Sequence, residues 1–142
     1  MGLVVNGANV KAYGLLSEHW QKHNVLWNGN NGATYFFQNE MAYDVPSQAA
    51  WSDGGKLGYS AYMVAPGVTN HQAYGVGAYC LFLTDPSIHA ANGFESPSGA
   101  GIHFHHLMTI SLGNGTIDHI INGVGATSAA SSVTPHYLVD YP

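Results

Sequence analysis

Near the start of the chain, apolar and polar positions fall twice into the same order. VVNGANVKAYGLLSE, Val4 to Glu18, is echoed by LWNGNNGATYFFQNE, Leu26 to Glu40. The offset is 22 residues throughout: Asn6-Gly7 falls on Asn28-Gly29, Asn9 on Asn31, Tyr13 on Tyr35 and Glu18 on Glu40. Short apolar β runs broken by Gly turns and recurring Asn at this period point to solenoid coils. In a parallel β-helix, equivalent residues of successive coils lie about 4.8 Å apart, so Asn and Tyr can stack into ladders. The repeat ends at Glu40, which gives two coils where a solenoid ordinarily needs three. Trp27 falls on Val5 and is expected in the core.

Beyond Glu40 the pattern changes. Pro46, Ser47, Asp53, Gly54 and Gly55 mark loops. Strands are expected in Gly75–Leu83, Gly101–Leu112, Thr116–Ile121 and around Val133–Asp140, with Asn114-Gly115 as a tight hairpin turn. The best helix candidate, Pro86 to Asn92, is one or two turns long. The expected architecture is all-β: two parallel β-helix coils over residues 1–50, then a loop-rich antiparallel β cap or sandwich-like region over 51–142.

Composition narrows the function. The 142 residues fit one domain, and 46% are apolar, so the chain can bury a core. Three Lys, no Arg and a net charge of −5 argue against nucleic acid and suit a neutral ligand. No apolar run is long enough for a helical membrane span. The start lacks the features of a secretory leader, so a cytoplasmic chain or a mature or excised piece is expected. Cys80, the only cysteine, lies in an apolar run and reads as a buried, inert thiol.

If the offset is one coil, Glu18 and Glu40 project side by side from one face of a parallel sheet. Two carboxylates at adjacent rungs repel, and at least one pKa is expected to rise. That arrangement is poor for stability and good for chemistry. Glycoside hydrolysis needs one carboxylic acid to protonate the leaving oxygen and a second carboxylate to act on water or carbon. The bland alternative is two solvated side chains, or two that bond nearby amides.

Longer segments carry a resemblance. GLLSEHWQKHNVLWNG with TYFFQNEMAYDVPSQAAW, then VTNHQAYGVGAYCLF and GIHFHHLMTISLGNGTIDHIINGVG, resemble the C-terminal region of glycoside hydrolase family 55. The likeness is strongest at Gln38-Asn39-Glu40 with Tyr43 and Pro46, and at Glu18-His19. It implies a right-handed parallel β-helix, exo-acting hydrolysis of β-1,3-glucan with inversion, and an extracellular setting. By position it implies Glu40 as general acid, Glu18 as the carboxylate that positions or activates water, and Gln38, Tyr43 and His71 as substrate-lining. No metal or organic cofactor is implied. Family members carry hundreds of residues before this region, and those coils supply much of the pocket.

Aromatic platforms can stack on sugar rings, and Trp20, Trp27, Trp51, Tyr43 and Tyr74 are candidates. Trp51, beside a loop, is the preferred one. His103 and His105 share a strand face and could chelate a metal. No third ligand matches their spacing, so contacts to water or backbone are the expected role. No serine-nucleophile elbow or phosphate loop is present. Three functions follow: a glucan hydrolase segment or derivative, a non-catalytic glucan-binding protein, and a self-assembling solenoid. The expected partners are β-glucan or an oligosaccharide. A second copy or a separate upstream β-helix chain is expected to cover the free edge.

Overall fold

The computed structural model describes residues 1–142 and contains twelve strands and no helix. The strands are β1 (Leu3–Val5), β2 (Lys11–Leu16), β3 (Val25–Trp27), β4 (Gly32–Glu40), β5 (Ser52–Asp53), β6 (Lys56–Leu57), β7 (Tyr62–Val64), β8 (His71–Cys80), β9 (His89–Glu95), β10 (Ile102–Ser111), β11 (Thr116–Ile121) and β12 (His136–Tyr141). Two five-stranded sheets enclose the core. The first runs β1-β3-β7-β9-β11 and the second β12-β10-β8-β4-β2. Each of the first four turns of chain gives a shorter strand to the first sheet and a longer one to the second, and the last gives six residues to each. Every neighbouring pair in these two sheets is parallel except β10–β12.

The solenoid therefore does not stop at two coils. Parallel stacking continues through β11, which corrects the division into coils over 1–50 and an antiparallel cap over 51–142. Only β12 and the small β5–β6 hairpin pair antiparallel. The physical reason is loop length. The offset between coils is 22 at Leu3–Val25 but widens to 37 at Val25–Tyr62 and 39 at Gly32–His71. It then narrows to 31 at His71–Ile102 and 27 at His89–Thr116. Two further expectations fail with it. Asn114-Gly115 makes a turn between the sheets rather than a hairpin, because β10 and β11 belong to different sheets. Residues 89–92 of the helix candidate lie in β9, where Ala90 and Asn92 alternate inward.

The two stacked turns hold the expected ladders. Asn9 and Asn31 both adopt left-handed backbone, φ 61° and 56°. The Asn28 amide donates to Asn6 (2.8 Å) and the Asn31 amide to Asn9 (3.3 Å). Tyr13, Tyr35 and Tyr74 stack at 5.0 and 5.2 Å between centroids, and His105 continues the column 4.7 Å from Tyr74.

A second column of left-handed residues crosses the long sheet: Gly14 (φ 63°), Phe36 (65°), Gly75 (64°) and His106 (57°). Register skips all four together, passing from Tyr13–Tyr35–Tyr74–His105 to Leu15–Phe37–Val76–Leu107. At this corner two successive residues face outward, and alternation resumes in the opposite phase. In β4, Tyr35 and Phe36 face out, Phe37 and Asn39 face in, and Gln38 and Glu40 face out again. Inside lies one apolar cluster of 26 buried residues, with Trp27, Phe37, Tyr62, Phe94 and Phe104 at its centre. Cys80 is part of it, and burial pushes its thiol up to about 12, so it stays protonated.

Candidate active site

Glu40 ends β4 and Glu18 lies just past β2. The parallel pairing of β2 with β4 extends to this point. Ser17 N–H donates to Gln38 O (3.4 Å) and His19 N–H to Glu40 O (2.8 Å). The inward Asn39 amide locks the same place by donating to Ser17 O at 2.6 Å. Glu18 and Glu40 are thus equivalent residues on adjacent parallel rungs, and both are partly exposed on the outer face.

The loop after β4 brings Tyr43 to this pair. Met41, Ala42 and Val45 are buried and anchor the loop, which turns Tyr43 back over the end of its own strand. The Tyr43 hydroxyl donates to Glu40 Oε2, and His19 Nε2 approaches the same oxygen at 3.3 Å. The His19 and Tyr43 rings touch, centroids 4.2 Å apart. The Tyr43 phenol is held above its ordinary pKa, first by the hydrogen bond to Glu40, then by burial and by the charges of Glu40 and Glu18. One hydroxyl therefore senses both carboxylates. Gln21 ties the preceding coil to this loop by donating to Asp44 Oδ1 at 2.5 Å.

The other candidates separate. Gln38 lies on the same face as Glu40, two residues back, and lines a depression of about 200 Å³ with Phe36, Gly77, Tyr79, His106 and Met108. Tyr74 faces out but sits across the corner, in the tyrosine column. Trp51 is corrected: it is 3% exposed, packs on Phe82 and Tyr59, and donates its indole N–H to Gln21 O at 2.8 Å. His71 is also corrected. It is fully buried among Trp27, Tyr62 and Phe104, with Nε2 2.8 Å from the Tyr62 hydroxyl. Burial pushes its imidazole down to about 4, so it is neutral and cannot reach a ligand. Trp27 is core, as its alignment with Val5 indicated, and Trp20 is exposed beyond the end of β2.

The histidines of β10 have partners of their own. His103 bonds Ala100 O at 3.0 Å and His105 pairs with Asp140 at 2.6 Å, while His106 stands at the corner. No three His, Cys, Asp or Glu side chains converge. Sequence reasoning passed over Phe36, Tyr79, His106 and Met108. Tyr79 lies directly beside Glu40 in the parallel register, but the 39-residue offset between those strands hid the pairing. Phe36 and His106 gave no signal, because a left-handed corner leaves no mark on a bulky residue.

The family model of the LAM55 pectate lyase-like domain matches residues 1–40. An exo-β-1,3-glucanase of Streptomyces sp. (strain SirexAA-E / ActE) is 44% identical over 142 residues, covering 99% of this chain and 24% of that protein. The structure of sacteLam55A from Streptomyces sp. SirexAA-E superposes with a TM-score of 0.96 at 42% identity, covering 99% of this chain and 26% of that one. A glutamate-to-alanine variant of sacteLam55A, in complex with glucose, matches with the same TM-score and identity. The chain spans about a quarter of the length of these relatives.

Proposed function

Because the chain resembles glycoside hydrolase family 55 over its whole length, we propose that it is a segment of, or derivative from, a β-1,3-glucan hydrolase acting at Glu18 and Glu40. The observation that carries this reading is the pair itself: two carboxylates on adjacent rungs, both felt by Tyr43. The glucose bound to the sacteLam55A variant supports a sugar as the ligand class. Extracellular glucan is the corresponding substrate.

In the proposed reaction Glu40 carries the acid proton. Oε2 already accepts from Tyr43, which leaves Oε1 as the oxygen that holds and delivers it. Protonation of the glycosidic oxygen lets the bond to the anomeric carbon break. Water attacks that carbon from the opposite face and passes a proton to Glu18, so the product is inverted. His19 and Tyr43 keep the Glu40 carboxyl oriented. The two carboxylates supply the whole acid and base requirement, with no cofactor. Proton NMR of a β-1,3-linked glucose oligosaccharide during turnover tests this. The α-anomer should appear first, and Glu40→Gln and Glu18→Gln should each remove it. Unchanged turnover in either variant overturns the assignment.

A second reading is a non-catalytic glucan-binding protein. It is favoured by the openness of the site: both carboxylates lie on an outer sheet face that by itself excludes little water. Binding of the oligosaccharide without turnover would establish it.

The outer edge of β2 is unpaired within the chain, and Tyr13 at its surface is 71% exposed. Free strand edges recruit other chains. A neighbouring β-strand, from a further coil, a second copy or a separate β-helix segment, is the proposed cover for this edge. Light scattering of these 142 residues over a dilution series should show mass above the monomer at micromolar concentration, and a persistent monomer would show that the edge recruits no second copy.

A further inference from the structure

The corner column contains a contradiction between backbone and side chain. Its backbone asks for glycine: all four residues have φ near +60°, where L side chains are strained. Gly14 and Gly75 meet that demand, and at both a Cβ would find open space. Phe36 and His106 do not. Burial does not compensate Phe36, whose side chain is 55% exposed, and His106 is exposed as well. Strain without burial marks a position kept for something other than stability.

Both strained side chains border the same depression. Phe37, Gln38, Gly75, Val76, Gly77, Tyr79 and Met108 complete it, and none of the nine is a carboxylate, lysine or arginine. Gly77 forms the floor in register with Gln38 and Met108, and Tyr79 stands beside Glu40. Aromatic and thioether surfaces suit the apolar face of a sugar ring, and the Gln38 amide offers a donor and an acceptor for hydroxyls. Gln38 is two strand residues from Glu40, roughly 7 Å, the scale of one pyranose.

The geometry points to this depression as a separate subsite for an uncharged pyranose ring of β-glucan, neighbouring the ring processed at Glu40, with Phe36 and His106 as its walls. It rests on the glucan reading above and adds a place for the next sugar. Met108 reports on it directly: of the four methionines, Met41 is buried in the core and Met1 and Met63 lie outside the lining.

The test uses the full chain labelled at its methionine methyls and titrated with a β-1,3-linked glucose trisaccharide. The Met108 methyl should move saturably, and Met1 and Met63 should not. Glu40→Gln should keep that response while losing turnover. Phe36→Gly relieves the backbone strain, so its Tm should hold or rise, while affinity read at Met108 should fall at least about tenfold. Turnover in the wild-type chain without any Met108 response overturns the subsite and leaves the Glu pair standing. A Phe36→Gly chain with lowered Tm and unchanged affinity also overturns it, because Phe36 would then be structural. A Met108 response in a chain without turnover supports the subsite and counts against the catalytic reading.

Discussion

The two faces of the long sheet use the same strands for opposite ends. Inward, β4 and β8 contribute Thr34, Phe37, His71 and Val76, all buried. There, Thr34, the Tyr62 hydroxyl and His71 Nε2 form a buried hydrogen-bond chain, each link 2.8 Å. Outward, the same strands contribute Gln38, Glu40, Tyr74 and Tyr79, partly exposed and lined up across coils. A histidine and a glutamate on neighbouring strands look equally chemical in a sequence. The face decides: His71 is held neutral by burial, whereas Glu40 keeps 27% of its side chain accessible and two polar partners. Function and stability should therefore separate cleanly between alternate residues.

The largest expected effect tests the outer face. Glu40→Gln should lower turnover by about 10³-fold, or ~4 kcal/mol in the barrier. Its Tm should move little, because the residue is at the surface and the change keeps its shape. A large loss of stability would mean that the pair serves the fold. The inner face has its counterpart one residue before Gln38. Phe37 is 1% exposed, and Phe37→Ala should cost about 3–5 kcal/mol by leaving a cavity. Its neighbour Phe36, on the outside, should tolerate Gly with no loss of Tm. Equal costs at 36 and 37, read from denaturant unfolding, would erase the distinction.

Acid should strike the inner face through His71. Its pKa falls from 6.5 to about 4 on burial. Between those values the unfolded chain takes up a proton that the folded chain refuses. Stability should thus be level above pH 6.5 and decline as pH falls toward 4, by roughly 3 kcal/mol from this residue. The groups around it are Trp27, Tyr62 and Phe104, and none offers a charge to stabilise an imidazolium. Urea unfolding at several pH values, with and without His71→Asn, isolates the slope. An unchanged slope in the variant would show that the acid sensitivity does not come from His71.

Much of the first two coils was legible because both turns have one length. A constant offset puts Asn28 on Asn6, Tyr35 on Tyr13 and Glu40 on Glu18, and no loop intervenes to hide it. The later coils were hidden by insertions. Residues 41–61 carry Tyr43, Trp51 and the β5–β6 hairpin, and they stretch the period past recognition. The corner concealed the depression for a different reason. A period-two reading of TYFFQNE expects Phe36 and Phe37 on opposite faces with alternation intact, but the left-handed turn at Phe36 shifts the phase. His71 and Trp51 were misplaced because aromatic and imidazole groups serve cores and ligands alike, and only burial separates the two uses. Asn114-Gly115 signalled a turn correctly, but a turn signal does not say whether the next strand returns to the same sheet.

A residue on neither face gives the smallest effect. Asn31 sits in the stacked turn with φ 56°, and its amide reaches Asn9 at 3.3 Å on the exposed side. Two causes could hold an asparagine there, the ladder bond or the left-handed backbone. They make different predictions for two substitutions. Asn31→Ala loses the bond and keeps a Cβ in a region that costs L residues about 1–2 kcal/mol. Asn31→Gly loses the same bond but relaxes the backbone. An exposed bond of this length contributes about 0.5 kcal/mol, less than the conformational term. Asn31→Ala should therefore destabilise by about 1 kcal/mol, and Asn31→Gly by about half that or less, in denaturant unfolding of the two variants. Equal losses would assign the position to the ladder, and the stacked amides would then hold the coils together more than their exposure implies.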